Sequence, residues 1–225
     1  MLSMILSVGI IREEHTIKDF KFMKIANWEQ TFKDDTTFLF GAKPNKTIVE
    51  FEHLFDKKWE ILDVGCGDGK NAIYLAKQGF CNVDAFDMSH NAIDKVRRIC
   101  ETEKIQVNTE ITTANDFEFT KQYDLMLSFG VFHFMDKNDW KAFIRKAQKH
   151  TNIGGIHIIQ IFNDNIAPTP DIAPFAIGMA KDGEIKKLYE GWEIIQYLSY
   201  TFEEEHPNVP LHSHASNKIV ARKIE

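Results

Sequence analysis

The sequence has few cysteines. Only Cys66, Cys81 and Cys100 occur among its 225 residues, and their spacing fits no metal-binding pattern. An odd number without such spacing argues against a disulfide-stapled secreted domain and favours a reduced, cytoplasmic setting. Positive charge is also scarce, because 27 Lys and Arg stand against 33 Asp and Glu, giving a net charge of −6. Nucleic-acid-binding domains usually carry a basic surface, so the sequence predicts no nucleic-acid partner.

Long apolar runs are missing as well. The run from Leu2 to Ile11 is about ten residues long, roughly half of what a membrane-spanning helix needs. No basic residue precedes it and no clear cleavage site follows, so we expect neither a membrane partner nor a signal peptide. We interpret residues 1–27 as an N-terminal extension of unclear role. Met23 is an alternative biological start.

Internal repeats, low-complexity tracts and Pro- or Ser-rich linkers are also absent, so we expect residues 28–225 to form a single domain. From Glu60 onwards, strand-like and helix-like segments alternate. Strand-like segments are "EILDV", "CNVDAFD", "QVNTEIT", "YDLMLSF" and "IHIIQIF"; "KNAIYLAKQG", "SHNAIDKVRRICETEK" and "KNDWKAFIRKAQKH" have helical periodicity. This alternation predicts an α/β fold with a mostly parallel sheet covered on both faces. "WEIIQYLSYTF" and "KIVARKI" predict a closing antiparallel hairpin, which brings the sheet to seven strands.

A glycine-rich turn follows the first predicted strand, in the order Asp63-Val-Gly65-Cys-Gly67-Asp-Gly69. Glycine permits positive φ and lets a ligand approach the backbone. The third glycine comes four residues after the first, so the spacing misses the G-x-G-x-x-G dinucleotide pattern. No G-K-[ST] follows, which excludes the phosphate-loop pattern. The spacing fits D-x-G-x-G-x-G, and ligands of open α/β sheets bind at such strand ends.

This pattern resembles motif I of the class I S-adenosylmethionine-dependent methyltransferases, which have a three-layer Rossmann-like fold. Acidic residues at later strand ends strengthen the resemblance, since Asp87 closes the second strand and Asp116 follows the third. The resemblance implies that Asp87 accepts bonds from the ribose hydroxyls of S-adenosyl-L-methionine. It also implies that Asp116 takes the adenine amino group, with Phe117 and Met88 beside the ring. Asp84 lies inside its strand, so we favour Asp87.

A narrower resemblance is to the tellurite-resistance (TehB-like) methyltransferases. "PFAIGMAKDGEIKKLYEGWEIIQY" and "GKNAIYLAKQGFCNVDAFD" are similar to segments of that family, and "WEQTFKDDTTFLFGAKPNKTIVE" is similar to its N-terminal lid. This implies a lid region over residues 28–58 and a loop over the acceptor site at residues 163–181. It also implies methyl transfer to a small molecule such as a thiol, selenite or tellurite. "SFGVFHFMD" departs from the family, which has aliphatic residues in place of His133.

Further cofactor-binding residues follow from the position of each on the predicted sheet. Asp63 is expected to support the glycine loop and to orient the methionine amino end, next to backbone of Gly65, Cys66, Gly67 and Gly69. Asn71 either helps hold the methionine carboxylate or only begins the first helix. Ser128 and Phe129 end the fourth strand, under the sulfonium. The Phe129 ring either faces that cation, a contact worth about 0.5–2 kcal/mol, or packs in the core.

Candidate acceptor-side residues are His133, His212 and His214. A hydroxyl or amine acceptor needs a base to remove its proton, whereas a soft anionic acceptor needs none. Packed or surface histidines are the alternative. His212 and His214 share one face if the chain there is extended. A zinc site is the weaker alternative to a surface histidine pair, because no Cys or clear third ligand accompanies them, so we predict no metal. Five apolar residues either form a lid over the methyl group or pack in the core: Phe38, Phe40, Phe175, Ile177 and Met179.

Two other functions stay open at this point. One is methyl transfer to a protein or other macromolecule, which would leave no compositional trace. The other is a non-catalytic S-adenosylmethionine-binding protein, because fold alone does not imply chemistry. The sequence leaves the oligomeric state open.

Overall fold

The computed structural model describes residues 27–33, 38–39, 41–170, 172–206 and 209–225. The proposed extension, apart from Asn27, and Phe40 lie outside these residues. The described chain folds around one seven-stranded sheet with the order β3-β2-β1-β4-β5-β7-β6. The strands are β1 (Glu60–Val64), β2 (Asn82–Asp87), β3 (Asn108–Ile111), β4 (Tyr123–Phe129), β5 (Thr151–Phe162), β6 (Glu193–His206) and β7 (Val209–Arg222).

Helices cover both faces of the sheet, and three of them connect consecutive parallel strands. They are α1 (Lys46–Phe51), α2 (Lys70–Lys77), α3 (His90–Glu103), α4 (Lys137–Lys149) and α5 (Glu184–Lys187), and residues 27–31 form a further helical segment. Neighbouring strands from β3 to β5 run parallel, while β7 is antiparallel to both β5 and β6. The predicted three-layer α/β class with a closing hairpin is therefore confirmed.

Alternation of side chains along the central strands builds two cores. On β4, Met126 packs on the face covered by α4 and α5, while Leu125 and Leu127 pack on the face covered by α1, α2 and α3. The two clusters are continuous because every second residue of a strand points to the same side. Trp140 of α4 is completely buried in the first of them.

The closing hairpin is longer than the sequence predicts. The predicted strands end at Phe202 and resume at Lys218, whereas the two strands pair from Glu193↔Arg222 to His206↔Val209, with register shifts between Ile194 and Gln196 and between Glu204 and His206. Cross-strand pairing overrides the polar composition of this segment, since "EEEH" and "HSHASN" have weak strand propensity alone. Extended chain there places His212 and His214 on one face, as the sequence analysis anticipated for that conformation.

Residues 163–181 connect β5 to α5 and fold against α4. The indole Nε1 of Trp140 donates a hydrogen bond of 2.9 Å to the Gly178 carbonyl oxygen. A Cβ at Gly178 would overlap the carbonyl oxygen of Met135, so this close approach requires glycine. The Gly178 amide donates to the His133 carbonyl oxygen at 3.0 Å. The connection is thus fixed near its C-terminal end to the segment that follows β4.

In the parts of the chain that the structure describes, no helix combines the length and the apolar character that a bilayer crossing requires.

We expect Trp140→Phe to lower the free energy of unfolding by about 1–3 kcal/mol, because the buried Gly178 carbonyl loses its donor while most of the ring packing is kept. Urea denaturation followed by far-UV circular dichroism measures this change. Trp192→Phe, a change at a half-buried indole, is the matched control. Equal losses in the two variants would contradict the anchoring role of Trp140.

Candidate active site

A large cleft opens at the carboxyl ends of β1, β2 and β4, with a volume of about 1920 Å³. Its position agrees with the rule that open α/β sheets bind ligands where the strand order reverses. Many of the predicted site residues line it: Asp63, Gly65, Cys66, Gly67, Asn71, Asp87, Met88, Asp116, Phe129, His133 and His214. Four others do not contribute to its wall: Gly69, Phe117, Ser128 and His212.

The glycine loop between β1 and α2 presents bare backbone to the cleft. Gly65 and Gly67 have φ values of +61° and +54°, which residues with a side chain rarely adopt. A Cβ at Gly67 would also lie 3.1 Å from Phe32 of the N-terminal helical segment. Gly69 serves a different purpose, because a Cβ there would lie 2.5 Å from Val96 of α3. Gly69 therefore permits close packing of α2 on α3.

Asp87 ties the glycine loop to the end of β2. Its Oδ2 accepts from the Gly67 amide at 2.9 Å, and its Oδ1 accepts from the Ser89 amide at 3.0 Å. Burial raises the pKa of this carboxyl, and the bonds from backbone amides partly offset that rise. Each carboxylate oxygen has a second acceptor site, so Asp87 can still receive a hydroxyl proton from the cleft.

Asp63 is a buried carboxyl with spare acceptor capacity. It is 1% exposed, and its Oδ2 has no hydrogen-bond partner among the described residues. Burial raises its pKa to about 7, and the neighbouring charge of Asp87 adds to the rise. The Ala72 amide donates to Asp63 and acts in the opposite direction. A cationic ligand group placed beside Oδ2 would favour the ionised form.

Cys66 and Asn71 have structural ties within the same loop. Burial, together with the charges of Asp87 and Asp63, raises the pKa of the Cys66 thiol, which keeps it neutral and unreactive. Asn71 is buried, and its Oδ1 accepts from the Asn45 amide at 2.9 Å. Asn45 in turn caps α1. Asn71 thus joins the start of α2 to the start of α1 and faces the cleft as well.

At the adenine end that the sequence predicts, Met88 and Asp116 reach the cleft but Phe117 does not. The Oδ2 of Asp116 accepts from the Thr113 hydroxyl at 2.7 Å, and the side chain is exposed. Phe117 is 7% exposed and stacks on Phe86 at a ring distance of 4.5 Å. It therefore belongs to the core, and the structure does not bring it together with the other cofactor-binding candidates.

At the end of β4, Ser128 and Phe129 point in different directions. Ser128 is fully buried, with no hydrogen-bond partner for its hydroxyl among the described residues, and it lies behind the cleft wall. Phe129 is half-buried and lies on the wall. Of the lid candidates, Ile177 lines the cleft with half of its side chain exposed, whereas Phe38 packs beside Val96.

Two of the candidate histidines meet at one aromatic ring. His133 is completely buried in a 3₁₀-helix, Phe132–Phe134, and stacks on Phe162 at 4.1 Å. His214 of β7 also stacks on Phe162, at 4.4 Å. His212 lies behind His214, with the ring centroids 4.7 Å apart and the rings perpendicular.

Contacts of the N-terminal segment with the start of α3 and with the glycine loop are not evident from the sequence. The carboxylate of Glu29 accepts from the His90 and Asn91 amides at 2.7 and 3.1 Å, which supports the start of α3. Asp68, 2% exposed, accepts from the Leu39 amide at 2.7 Å and pairs with Lys95. The aspartate inside the glycine motif was the available signal for Asp68, but its partner on α3 was not predictable.

Solved structures with the same arrangement define the class. The chain superposes on the crystal structure of TehB from Haemophilus influenzae with a TM-score of 0.71 and 26% identity, covering 80% of this chain and 62% of that one. A S-adenosylmethionine-dependent methyltransferase from Methanosarcina mazei gives a TM-score of 0.63 at 17% identity, covering 78% and 98%. The fold is that of the class I methyltransferases.

Residues 47–208 match the family model of the tellurite resistance protein TehB, so the chain belongs to the TehB family. A probable S-adenosyl-L-methionine-dependent methyltransferase TehB of Haemophilus influenzae strain 10810 is 31% identical over 163 residues. A ubiquinone biosynthesis O-methyltransferase of Rickettsia akari is 31% identical over 154 residues. These alignments cover 70% and 64% of this chain but only 56% and 58% of the relatives, so the chain spans little more than half of their length. The predicted resemblance is confirmed at the level of the family.

We expect Asp63 to make the folded protein less stable as the pH rises from about 4 to about 7. The folded state keeps a proton that the unfolded chain releases near 3.8, because burial raises the pKa of Asp63 to about 7. Asp63→Asn removes this dependence. The difference in unfolding free energy between the variant and the wild type should therefore shift in favour of the variant by a few kcal/mol from pH 5 to pH 8.

Urea denaturation at both pH values measures the difference. Glu101→Gln, at an exposed carboxyl on α3, is the control and should follow the wild type. Parallel pH profiles for Asp63→Asn and the wild type would show that Asp63 is ionised in the folded protein.

Proposed function

We propose that this chain is a S-adenosylmethionine-dependent methyltransferase whose acceptor is a small molecule, a soft nucleophile of the thiol, selenite or tellurite kind. The observation that carries this proposal is the buried Oδ2 of Asp63, which lacks a partner beside the bare backbone of Gly65 and Gly67. Leaving such an atom unpaired costs about 1–3 kcal/mol, so a ligand with a donor group is expected there.

The residues of the cleft fit S-adenosylmethionine part by part. The methionine amino group is a cationic donor that suits Asp63, and glycine backbone allows the chain of the ligand to lie close. Asp87 offers carboxylate oxygens to the ribose hydroxyls, since an ionised carboxylate has about four acceptor sites and backbone amides at Gly67, Met88 and Ser89 leave one for a ligand. Met88 and Asp116 line the cleft further along and suit the adenine ring and its amino group.

When bound, this cofactor supplies an activated methyl group on a sulfonium, which an acceptor attacks in line. The tasks left to the protein are alignment and exclusion of water, and positioning contributes several kcal/mol to such reactions. Phe129 presents an aromatic ring at the end of β4, where a cation is favoured by about 0.5–2 kcal/mol. The helical segment 27–31 and the connection 163–181 both contribute to the cleft wall and restrict solvent access.

The lining of the acceptor end is mostly apolar, which supports a small molecule as the methyl acceptor. Seven aromatic and aliphatic side chains line this part of the cleft, together with His133, His214 and the Glu204 carboxylate: Phe129, Val131, Phe134, Phe162, Ile172, Ile177 and Phe202. A soft anion needs no proton removed, and apolar walls strengthen its reactivity by withholding water. A hydroxyl acceptor would instead need one of the two histidines as a base.

We expect the wild type to bind S-adenosylhomocysteine with micromolar affinity and Asp87→Asn to bind it about tenfold to a hundredfold more weakly. Each bond from a ligand hydroxyl to a carboxylate is worth about 1.5–3 kcal/mol, and the amide cannot replace both acceptors. Isothermal titration calorimetry measures the affinity. Asp94→Asn, at an exposed carboxyl of α3, is the control. Unchanged affinity in Asp87→Asn would contradict the proposed ribose site.

Turnover separates the acceptor classes. We expect S-adenosylhomocysteine to be released when thiols, selenite or tellurite are supplied, and not with catechol-type hydroxyl acceptors. A coupled assay for S-adenosylhomocysteine over this panel measures the rates. Tight cofactor binding with no turnover across the panel would favour a non-catalytic binding protein or a macromolecular acceptor, and turnover confined to hydroxyl acceptors would replace the soft-nucleophile proposal.

A further inference from the structure

Three potential metal ligands converge where the closing hairpin meets the cleft. Glu204 of β6 is directly opposite His212 of β7, and His214 lies two residues further along the same face. One ligand atom from each residue lies within 4.8 Å of the other two. The Oε1 of Glu204 is 3.0 Å from the Nε2 of His214 and 3.8 Å from the Nε2 of His212.

We propose that Glu204, His212 and His214 form a binding site for one divalent metal ion, and that this ion is Zn²⁺. Tetrahedral zinc with bonds of about 2.0–2.1 Å separates its ligand atoms by roughly 3.3 Å, which lies between the two distances from Glu204. Two imidazoles and one carboxylate are a ligand set of catalytic zinc sites, which keep a fourth position open. Glu204 was not evident as a third ligand in the sequence, because it is eight residues from His212 and becomes its neighbour only through strand pairing.

Contacts behind the ligands support coordination. The Nδ1 of His212 donates to the Pro210 carbonyl oxygen at 2.8 Å, a bond that requires the proton on Nδ1 and leaves the lone pair of Nε2 directed at Glu204 and His214. A metal-binding histidine commonly donates its other ring nitrogen in this way. The His214 ring is held by stacking on Phe162 at 4.4 Å and by Phe202 at 5.5 Å. Both imidazoles are therefore oriented before any ion binds.

The proposed metal site lies on the wall of the cleft, where a bound ion could contact the methyl acceptor. Glu204 and His214 line the cleft, and Phe162 separates His214 from His133 at the acceptor end. An ion here would turn its open position towards the cleft, where a thiolate or another soft anion can coordinate. This role for the fourth position rests on the proposed methyl transfer, whereas ion binding itself does not.

The competing explanation is an ordinary ion pair. A protonated His214 can bond to Glu204 without any metal, and Glu204 also interacts with the Lys70 ammonium. An ion pair needs no second imidazole, however. The two explanations therefore differ in what happens when His212 alone is changed.

Titration of the chelator-treated, full-length protein with ZnCl₂ tests the site. We expect one Zn²⁺ per chain with a dissociation constant of about 1 μM or lower. Glu204→Gln and His212→Gln should each weaken binding at least about tenfold, by the loss of one ligand. Glu203→Gln is the matched control, because its exposed side chain lies on the opposite face of the same strand. Circular dichroism verifies that each variant is folded.

Absence of stoichiometric binding in the wild type would overturn the proposal whatever the variants do. Binding that is equal in His212→Gln and Glu203→Gln would overturn it too. In a second arm, Co²⁺ replaces Zn²⁺, and a small thiol is added. We expect tetrahedral d–d absorption that changes on thiol addition. An unchanged spectrum would exclude an open position facing the cleft.

Calorimetry with S-adenosylhomocysteine on the same preparations keeps the two proposals distinguishable. Zinc binding without cofactor binding would contradict the proposed function alone. Cofactor binding without zinc binding would contradict the metal site alone.

Discussion

One hydrogen bond, from the Gly67 amide to the Asp87 carboxylate, joins the parts on which the candidate site depends. It links the loop after β1 to the end of β2, so that bare backbone and a carboxylate face the same space. Gly67 also adopts a positive φ, which residues with a side chain rarely do, so the loop needs glycine at this position. The Asp87 oxygens that receive Gly67 and Ser89 are thereby fixed in position before any ligand arrives.

Much of the fold and part of the site were predictable from local rules. The alternation of strands and helices follows from apolar periodicity, and the position of Asp87 follows from its place at a strand end. Asp84, by contrast, is used structurally, because its carboxylate accepts from Tyr123 and Asn108. Phe117 shows the limit of such reasoning. The resemblance to the methyltransferases implies a place for Phe117 beside the adenine ring, but in this chain the Phe117 ring stacks on Phe86 in the core.

The features that could not be predicted from the sequence all depend on contacts between segments that are distant along the chain. Glu29 supports α3 across about sixty residues, and Asp68 pairs with Lys95 from the next helix. Glu204 joins His212 only because β6 and β7 continue past the predicted turn. Such pairings are set by strand register and by helix docking, neither of which periodicity encodes.

The attachment of Glu29 has a thermodynamic consequence. The amides of Ser89 and of its neighbours His90 and Asn91 belong to one short turn, which Asp87 holds from inside and Glu29 from outside. A ligand that binds Asp87 would order this turn, and the entropic cost of docking Glu29 on the same turn would then be lower. By reciprocity, occupancy of the inner side and docking of the N-terminal segment then strengthen each other by the same factor. A ligand bound to Asp87 and the N-terminal segment that carries Glu29 would therefore stabilise the same few residues at the start of α3.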